Sequence, residues 1–140
     1  EKYEKTVLGC KRVGYDDVSK YAAVEFDKVL EDDLYNMVKV TEKPKKEEAK
    51  SDLAPLGRYV CSPKIFDIIR DLKPGANGEY QFTDALDIEA RENGAMAYVF
   101  KGIRYDMGDR LGYLKANIEY GLRDKELGEK LKEYLKELVK

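Results

Sequence analysis

Residues 6–13 read TVLGCKRV. The run is apolar and β-branched, which predicts a buried strand over Thr6–Val13. Working outward, Lys20–Phe26 (KYAAVEF) predicts a second short strand, and Glu31–Asp33 a turn. Leu34–Thr41 (LYNMVKVT) then alternates at period two, the mark of a half-buried strand. Leu56–Cys61 (LGRYVC) and Met96–Phe100 (MAYVF) complete the set of strands. Ser62 and Pro63 read as the N-cap and first position of a helix. Ile65, Phe66, Ile68, Ile69 and Leu72 give that helix an apolar face. Lys73–Gly78 (KPGANG) is a loop rich in turn formers. A further helix is expected over Thr83–Arg91 and another after Gly108–Asp109, carrying Leu111, Leu114, Ala116, Ile118 and Leu122. The tail, Asp124–Lys140, predicts a helix with Leu127, Leu131, Tyr134, Leu135 and Leu138 on one stripe and Glu126–Lys130 as an i,i+4 pair. That stripe packs on its own domain or on a partner helix. Strands dominate the first sixty residues and helices the rest, so an α/β or α+β arrangement follows.

At 140 residues the chain is sized for one domain. Twenty-six basic and 28 acidic side chains leave a net charge of -2, which excludes broad electrostatic binding to a nucleic-acid backbone. The absence of histidine excludes Ser-His-Asp and Cys-His chemistry and every His-ligated zinc site within this chain. Cys10 and Cys61 both lie in strand-like runs and are expected to be reduced. No run approaches the roughly 18 apolar residues of a membrane span. No signal peptide opens the chain, and a cytoplasmic protein without membrane partners is expected. The chain begins with Glu1 rather than Met, a hint that it is part of something longer.

Neither phosphate-loop pattern, G-x-x-x-x-G-K-[ST] or G-x-G-x-x-G, occurs. Three features do carry chemistry. Glu42-Lys43-Pro44 ends the alternating strand. A carboxylate accepts two hydrogen bonds, which suits neighbouring sugar hydroxyls, and a Lys ammonium suits a phosphate. The same pair also fits a charged strand end that opens the charged 42–52 loop (EKPKKEEAKSD), which has four basic and four acidic residues. Arg104-Tyr105-Asp106-Met107-Gly108-Asp109 lies between a strand and a helix. There Asp109 is placed to cap, and Asp106 is placed to cap or to hold a magnesium ion. Gly78–Asp84 (GEYQFTD) delivers polar groups beside a helix start, with Thr83 or Asp84 near the cap.

The order of these motifs resembles the C-terminal half of the bacterial and archaeal UTP–glucose-1-phosphate uridylyltransferases. The matching runs are Asp17–Tyr21, Thr41–Lys45 with Glu47–Ala49 and Ser51–Ala54, Gly57–Tyr59 before Ser62–Phe66, and Lys73–Gly75 with Gly78–Glu79. Gln81–Leu86, Arg104–Asp109 and Leu111–Asn117 follow. The resemblance implies the C-terminal part of a Rossmann-like α/β nucleotidyltransferase fold, a mixed β-sheet with flanking helices and a C-terminal amphipathic helix. Residues 1–122 would form the sugar-phosphate-binding part and 123–140 a helix for packing or oligomerisation. It implies that glucose-1-phosphate attacks the α-phosphorus of UTP with magnesium present, giving UDP-glucose and pyrophosphate. Lys43 would be catalytic and would contact the phosphates, and Glu42 would bind glucose hydroxyls. Tyr21, Ala22 and Gly57 would line the sugar pocket, and Asp106 would sit near the metal. Ala22 stands where the family usually has glycine. The family's N-terminal half, with its triphosphate loop, has no counterpart here, so the chain is expected to be inactive alone and to need that half as partner. A homo-oligomer is also expected. The alternatives are a non-catalytic oligomerisation fragment and a sibling sugar nucleotidyltransferase that uses another nucleotide.

Overall fold

A computed structural model describes residues 2–75 and 78–139. The loop expected over Lys73–Gly78 and the tail expected to Lys140 therefore lie partly outside the described residues. Five strands form one sheet: β1 (Thr6–Arg12), β2 (Ala23–Glu31), β3 (Leu34–Thr41), β4 (Leu53–Val60) and β5 (Ala95–Val99). The helices are α1 (Ile65–Asp71), α2 (Phe82–Glu92), α3 (Arg110–Arg123) and α4 (Gly128–Leu138). The sheet order is β2-β3-β5-β1-β4. The β1–β5 pair is parallel and the other three are antiparallel, so the sheet is mixed, as expected.

The chain divides into two compact units, Glu1–Phe100 and Lys101–Lys140. The first holds the whole sheet with α1 and α2. Alternation along β1 decides which face is inside. Thr6, Leu8 and Cys10 are buried, whereas Val7 and Gly9 are half-buried. Leu8 and Cys10 join Val24, Met37, Val40, Leu53 and Ala97 from the other strands in one core. Ile65 of α1 and Ala85, Leu86 and Ala90 of α2 close it from above. Small alanines on α2 let the helix sit close to the sheet.

Several boundaries differ from those expected, and three of them have a clear physical reason. β4 begins at Leu53, three residues before the strand expected over Leu56–Cys61, and passes through Pro55. It is an edge strand, where a residue without an N–H is tolerated. Its pairing with β1 jumps from Gly9↔Arg58 to Cys10↔Pro55, a bulge in which Gly57 adopts the left-handed φ of +74°. Lys20–Phe26 splits into a 3₁₀ turn over Val18–Lys20 and the longer β2. Ser62 is not an N-cap: α1 starts after Lys64 with no side-chain cap.

The Ser62 hydroxyl has another partner. Glu89 of α2 is 0% exposed, and both of its oxygens accept hydrogen bonds. Oε1 accepts from Thr6 Oγ1 at 2.9 Å and Ser62 Oγ at 2.5 Å, and Oε2 accepts from Asn93 Nδ2 at 2.7 Å. Thr6 Oγ1 in turn accepts from the Ser62 N–H at 3.0 Å. A buried carboxyl group is tolerable only when satisfied in this way. The network joins β1, the β4–α1 connection and α2.

The second unit is a helical hairpin. Asp109 caps α3, as expected, accepting from the Gly112 N–H at 2.7 Å. A Cβ on Gly112 would lie 2.2 Å from the Asp106 carbonyl oxygen, so this position requires glycine. α4 starts at Gly128, four residues later than the tail reading placed it. Asp124 instead accepts from the N–H groups of Glu126 and Leu127, each at 2.9 Å, and shapes the turn before it. The ion pair formed on α4 is Glu129–Lys132 at 3.4 Å rather than Glu126–Lys130. No helix among the described residues is long and apolar enough to cross a membrane.

Both cysteines are free. Burial pushes the Cys10 thiol up to about 12 from its ordinary 9.0, and burial also raises Cys61. Two outcomes are expected. In the native state an aromatic disulfide reagent should titrate Cys61, with Cys10 reacting only after unfolding. Replacing Glu89 with Gln puts an amide N–H where a hydroxyl now donates, and should cost about 1–3 kcal/mol in urea denaturation. An unchanged midpoint would show the network to be dispensable.

Candidate functional site

The β2–β3 hairpin turns at Asp32–Asp33 and pairs Ala23 with Thr41 at its far end. Continuing that register two residues outward brings Tyr21 opposite Lys43. The Lys43 N–H donates to the Tyr21 carbonyl at 3.1 Å. Lys43 has φ +41°, in the left-handed region that a non-glycine residue occupies at a cost of about 1–3 kcal/mol. Strand pairing thus ends in a sharp turn. Lys43 is exposed, Glu42 half-buried and Pro44 buried.

Helix α2 meets this strand end from the other side. Thr83, in its first turn, donates to Glu42 Oε2 at 2.6 Å. One turn later Asp87 Oδ1 accepts from the Val40 N–H at 3.0 Å, while Oδ2 pairs with Arg91 at 2.7 Å. Residues four apart on a helix share a face, and residues two apart on a strand share a face. Thr83 and Asp87 therefore match Glu42 and Val40. The sequence reading placed Thr83 near the helix cap but did not connect it to Glu42. The four-residue spacing of Thr83 and Asp87 was the available signal, but only a tertiary contact says what that face meets.

Between the strand end and the helix start lies an open cavity of about 450 Å³. Glu42, Lys43, Glu79, Gln81, Asp84 and Asp87 are among its lining residues, with Lys39 at one side. Glu79 and Gln81 are themselves hydrogen-bonded at 2.7 Å. Four carboxyl groups against two lysines make it a site rich in hydrogen-bond acceptors with a local cation at Lys43. Among the described residues no donor reaches Glu42 Oε1, which leaves that oxygen for a ligand.

The other expected site residues are placed differently. Tyr21 borders the strand end through its backbone. Ala22 is buried in the core cluster. Gly57, in the β4 bulge, lines a separate cavity of about 480 Å³ with Val7, Tyr59, Tyr98 and Phe100. Its neighbour Tyr59 stands edge-on to Phe82 at 5.3 Å. The Tyr59 phenol is raised, chiefly by burial, with the Glu42 charge adding to it. Asp106 belongs to the second unit. Its Oδ1 accepts from the Gly108 N–H at 3.0 Å, and its Oδ2 lies 3.3 Å from Arg104. The Gly108 N–H, then the Arg104 charge, hold its carboxyl below the usual range. Both oxygens are thus engaged in shaping the turn. Among the described residues no group of three or more acidic or cysteine side chains is arranged to hold a metal ion.

Comparison with known proteins gives this geometry a context. A UTP–glucose-1-phosphate uridylyltransferase of Streptococcus pyogenes is 40% identical over 143 residues, covering 100% of this chain and 47% of the relative. A Methanocaldococcus jannaschii relative is 43% identical over 139 residues, covering 99% of the chain and 49% of that protein. Among solved structures, a UDP-glucose pyrophosphorylase complexed with UDP-glucose matches with a TM-score of 0.82 at 40% identity. That match covers 88% of this chain and 46% of the other. The UTP-bound enzyme of Acinetobacter baumannii matches with a TM-score of 0.85 at 30% identity, over 98% of this chain and 47% of its own. The chain spans about half the length of these relatives. The α/β fold expected from the sequence is the one these structures share. The nucleotidyl transferase family model matches residues 1–121, and the chain belongs to that family.

Proposed function

We propose that this chain is the sugar-binding half of a UTP–glucose-1-phosphate uridylyltransferase. The observation that carries the reading is the pairing of Glu42 and Lys43 at the mouth of one cavity, with Glu42 Oε1 open. Neighbouring sugar hydroxyls donate to that carboxylate, and the phosphate on C1 lies against the Lys43 ammonium. The family membership and the named relatives support the same assignment.

In the proposed reaction an oxygen of the glucose-1-phosphate phosphate attacks the α-phosphorus of UTP. The bond from that phosphorus to the bridging oxygen breaks, and pyrophosphate leaves with the electron pair. Two anions must be brought in line, so alignment and charge neutralisation supply most of the rate. Glu42 fixes the sugar, and Lys43 offsets charge on its phosphate throughout. The sharp turn at Lys43 keeps its backbone fixed, so only the side chain adjusts. Magnesium, when bound, neutralises phosphate charge. Asp106 is the contact that the resemblance offers, and no step here depends on it.

Binding of UTP is assigned to residues found in the longer relatives, and the reaction is placed in the cytoplasm. Homo-oligomer formation through α4 belongs to the same reading, because Tyr134 and Leu138 on it, and Leu127 just before it, remain more than half exposed. A fragment retained only for such assembly is the second reading, favoured by that exposed stripe.

Titration calorimetry with glucose-1-phosphate tests the site. Glu42→Gln should weaken binding about tenfold by losing a charged acceptor, and Lys43→Ala by a similar factor. Lys43→Ala should leave the affinity for glucose itself unchanged. Pyrophosphate release from UTP, glucose-1-phosphate and magnesium should be absent for the chain alone. It should appear when the chain is joined to the N-terminal half of a relative. Binding that ignores both substitutions would overturn the assignment and favour the assembly reading.

A further inference from the structure

We infer that Thr83 is a positioning residue for sugar recognition: its hydroxyl holds the Glu42 carboxylate in the orientation that presents Oε1 to the ligand. The inference rests on the sugar-phosphate reading of the cavity and names the part that sets its hydroxyl recognition.

The Thr83–Glu42 hydrogen bond is short, 2.6 Å, and its acceptor is a carboxylate, so it is of the stronger kind. It is not needed to dock α2 on the strand. Asp87 already ties the helix to the Val40 N–H at 3.0 Å, and Glu89 anchors the same helix to Thr6 and Ser62. What the Thr83 bond adds is control of one side chain. Glu42 faces a cavity that also contains Glu79, Asp84 and Asp87, whose like charges would disfavour a freely moving carboxylate there. Thr83 supplies a donor on the helix side, and the partial positive charge of the first turn of α2 acts in the same direction. One oxygen is then occupied and the other aimed. Threonine suits the task because its branched Cβ leaves few χ1 rotamers.

The test uses the intact chain, the substitutions Thr83→Val and Thr83→Ser, and two probes. Glucose-1-phosphate carries sugar and phosphate, whereas methyl phosphate carries the phosphate alone. Thr83→Val should weaken glucose-1-phosphate about tenfold and leave methyl phosphate unchanged, so the preference between the two shrinks by the same factor. Thr83→Ser should restore affinity to within twofold. A role limited to holding α2 would lower the unfolding midpoint without moving that preference, and would overturn the inference. Glucose-1-phosphate binding unaffected by Thr83→Val would overturn it while leaving the sugar-phosphate reading in place. No binding by the unaltered chain would overturn both. Should Thr83→Val fail to fold, Thr83→Ala carries the same expectation.

Discussion

A carboxyl group taken wholly out of water has to find its donors inside the protein, and Glu89 finds three. Each comes from a different part of the first unit: Thr6 from the interior strand β1, Ser62 from the link between β4 and α1, and Asn93 from just beyond the end of α2. Because an orphaned buried donor or acceptor costs about 1–3 kcal/mol, the three segments cannot slide past one another cheaply. Alanines on α2 give close but featureless packing, and featureless surfaces permit slippage. The polar contacts supply the register that the apolar ones lack. With α2 fixed along its axis, Thr83 and Asp87 stand at a set height beside the end of β3. The geometry around Glu42 follows from that placement.

Much of this arrangement was legible in the sequence. Leu34–Thr41 announced β3 at its observed limits, although its buried residues Met37 and Val40 stand three apart, because the pairing with β2 shifts register between them. Asp109 was legible as a cap because capping is local: a short polar side chain before an apolar helix needs only the next turn. Ser62 misled for the opposite reason. Its local chemistry suits an N-cap equally well, but its partner is 27 positions away on another element, and a buried acceptor outcompetes an exposed helix end. Pro55 hid the start of β4, since a proline breaks a central strand but not an edge one, and sheet order is a property of the whole fold.

The candidate site was legible in its residues and not in its geometry. Glu42 and Lys43 were singled out by charge type at a strand end. Nothing in the chain near them says that Tyr21 would accept the Lys43 N–H, or that Lys43 would take a left-handed turn. Both follow from the register of a hairpin whose far end is more than twenty residues along the chain. Gly57 was read as a pocket residue, and it lines a different cavity from Glu42, because the bulge that needs its positive φ lies on the edge strand. Ala22 shows the same limit: its methyl packs in the core, which a list of motif positions does not reveal.

In the proposed site the two side chains are held by different means, and the difference suits the tasks proposed for them. Recognition of a sugar hydroxyl is directional, so the role proposed for Glu42 requires its carboxylate plane to be fixed, and a side-chain hydrogen bond from a rigid helix does this. Attraction to a phosphate varies slowly with angle, so an ammonium on a flexible stem needs only its root in place. The backbone hydrogen bond to Tyr21 and the tight turn fix that root and leave the four-carbon stem free to adjust. The strain in the Lys43 backbone is therefore offset where it is useful: the turn brings to one side two adjacent residues that a continuing strand would have sent to opposite faces. A pair that reads in the sequence as an ordinary charged strand end becomes, through that one turn, two groups that open on the same cavity.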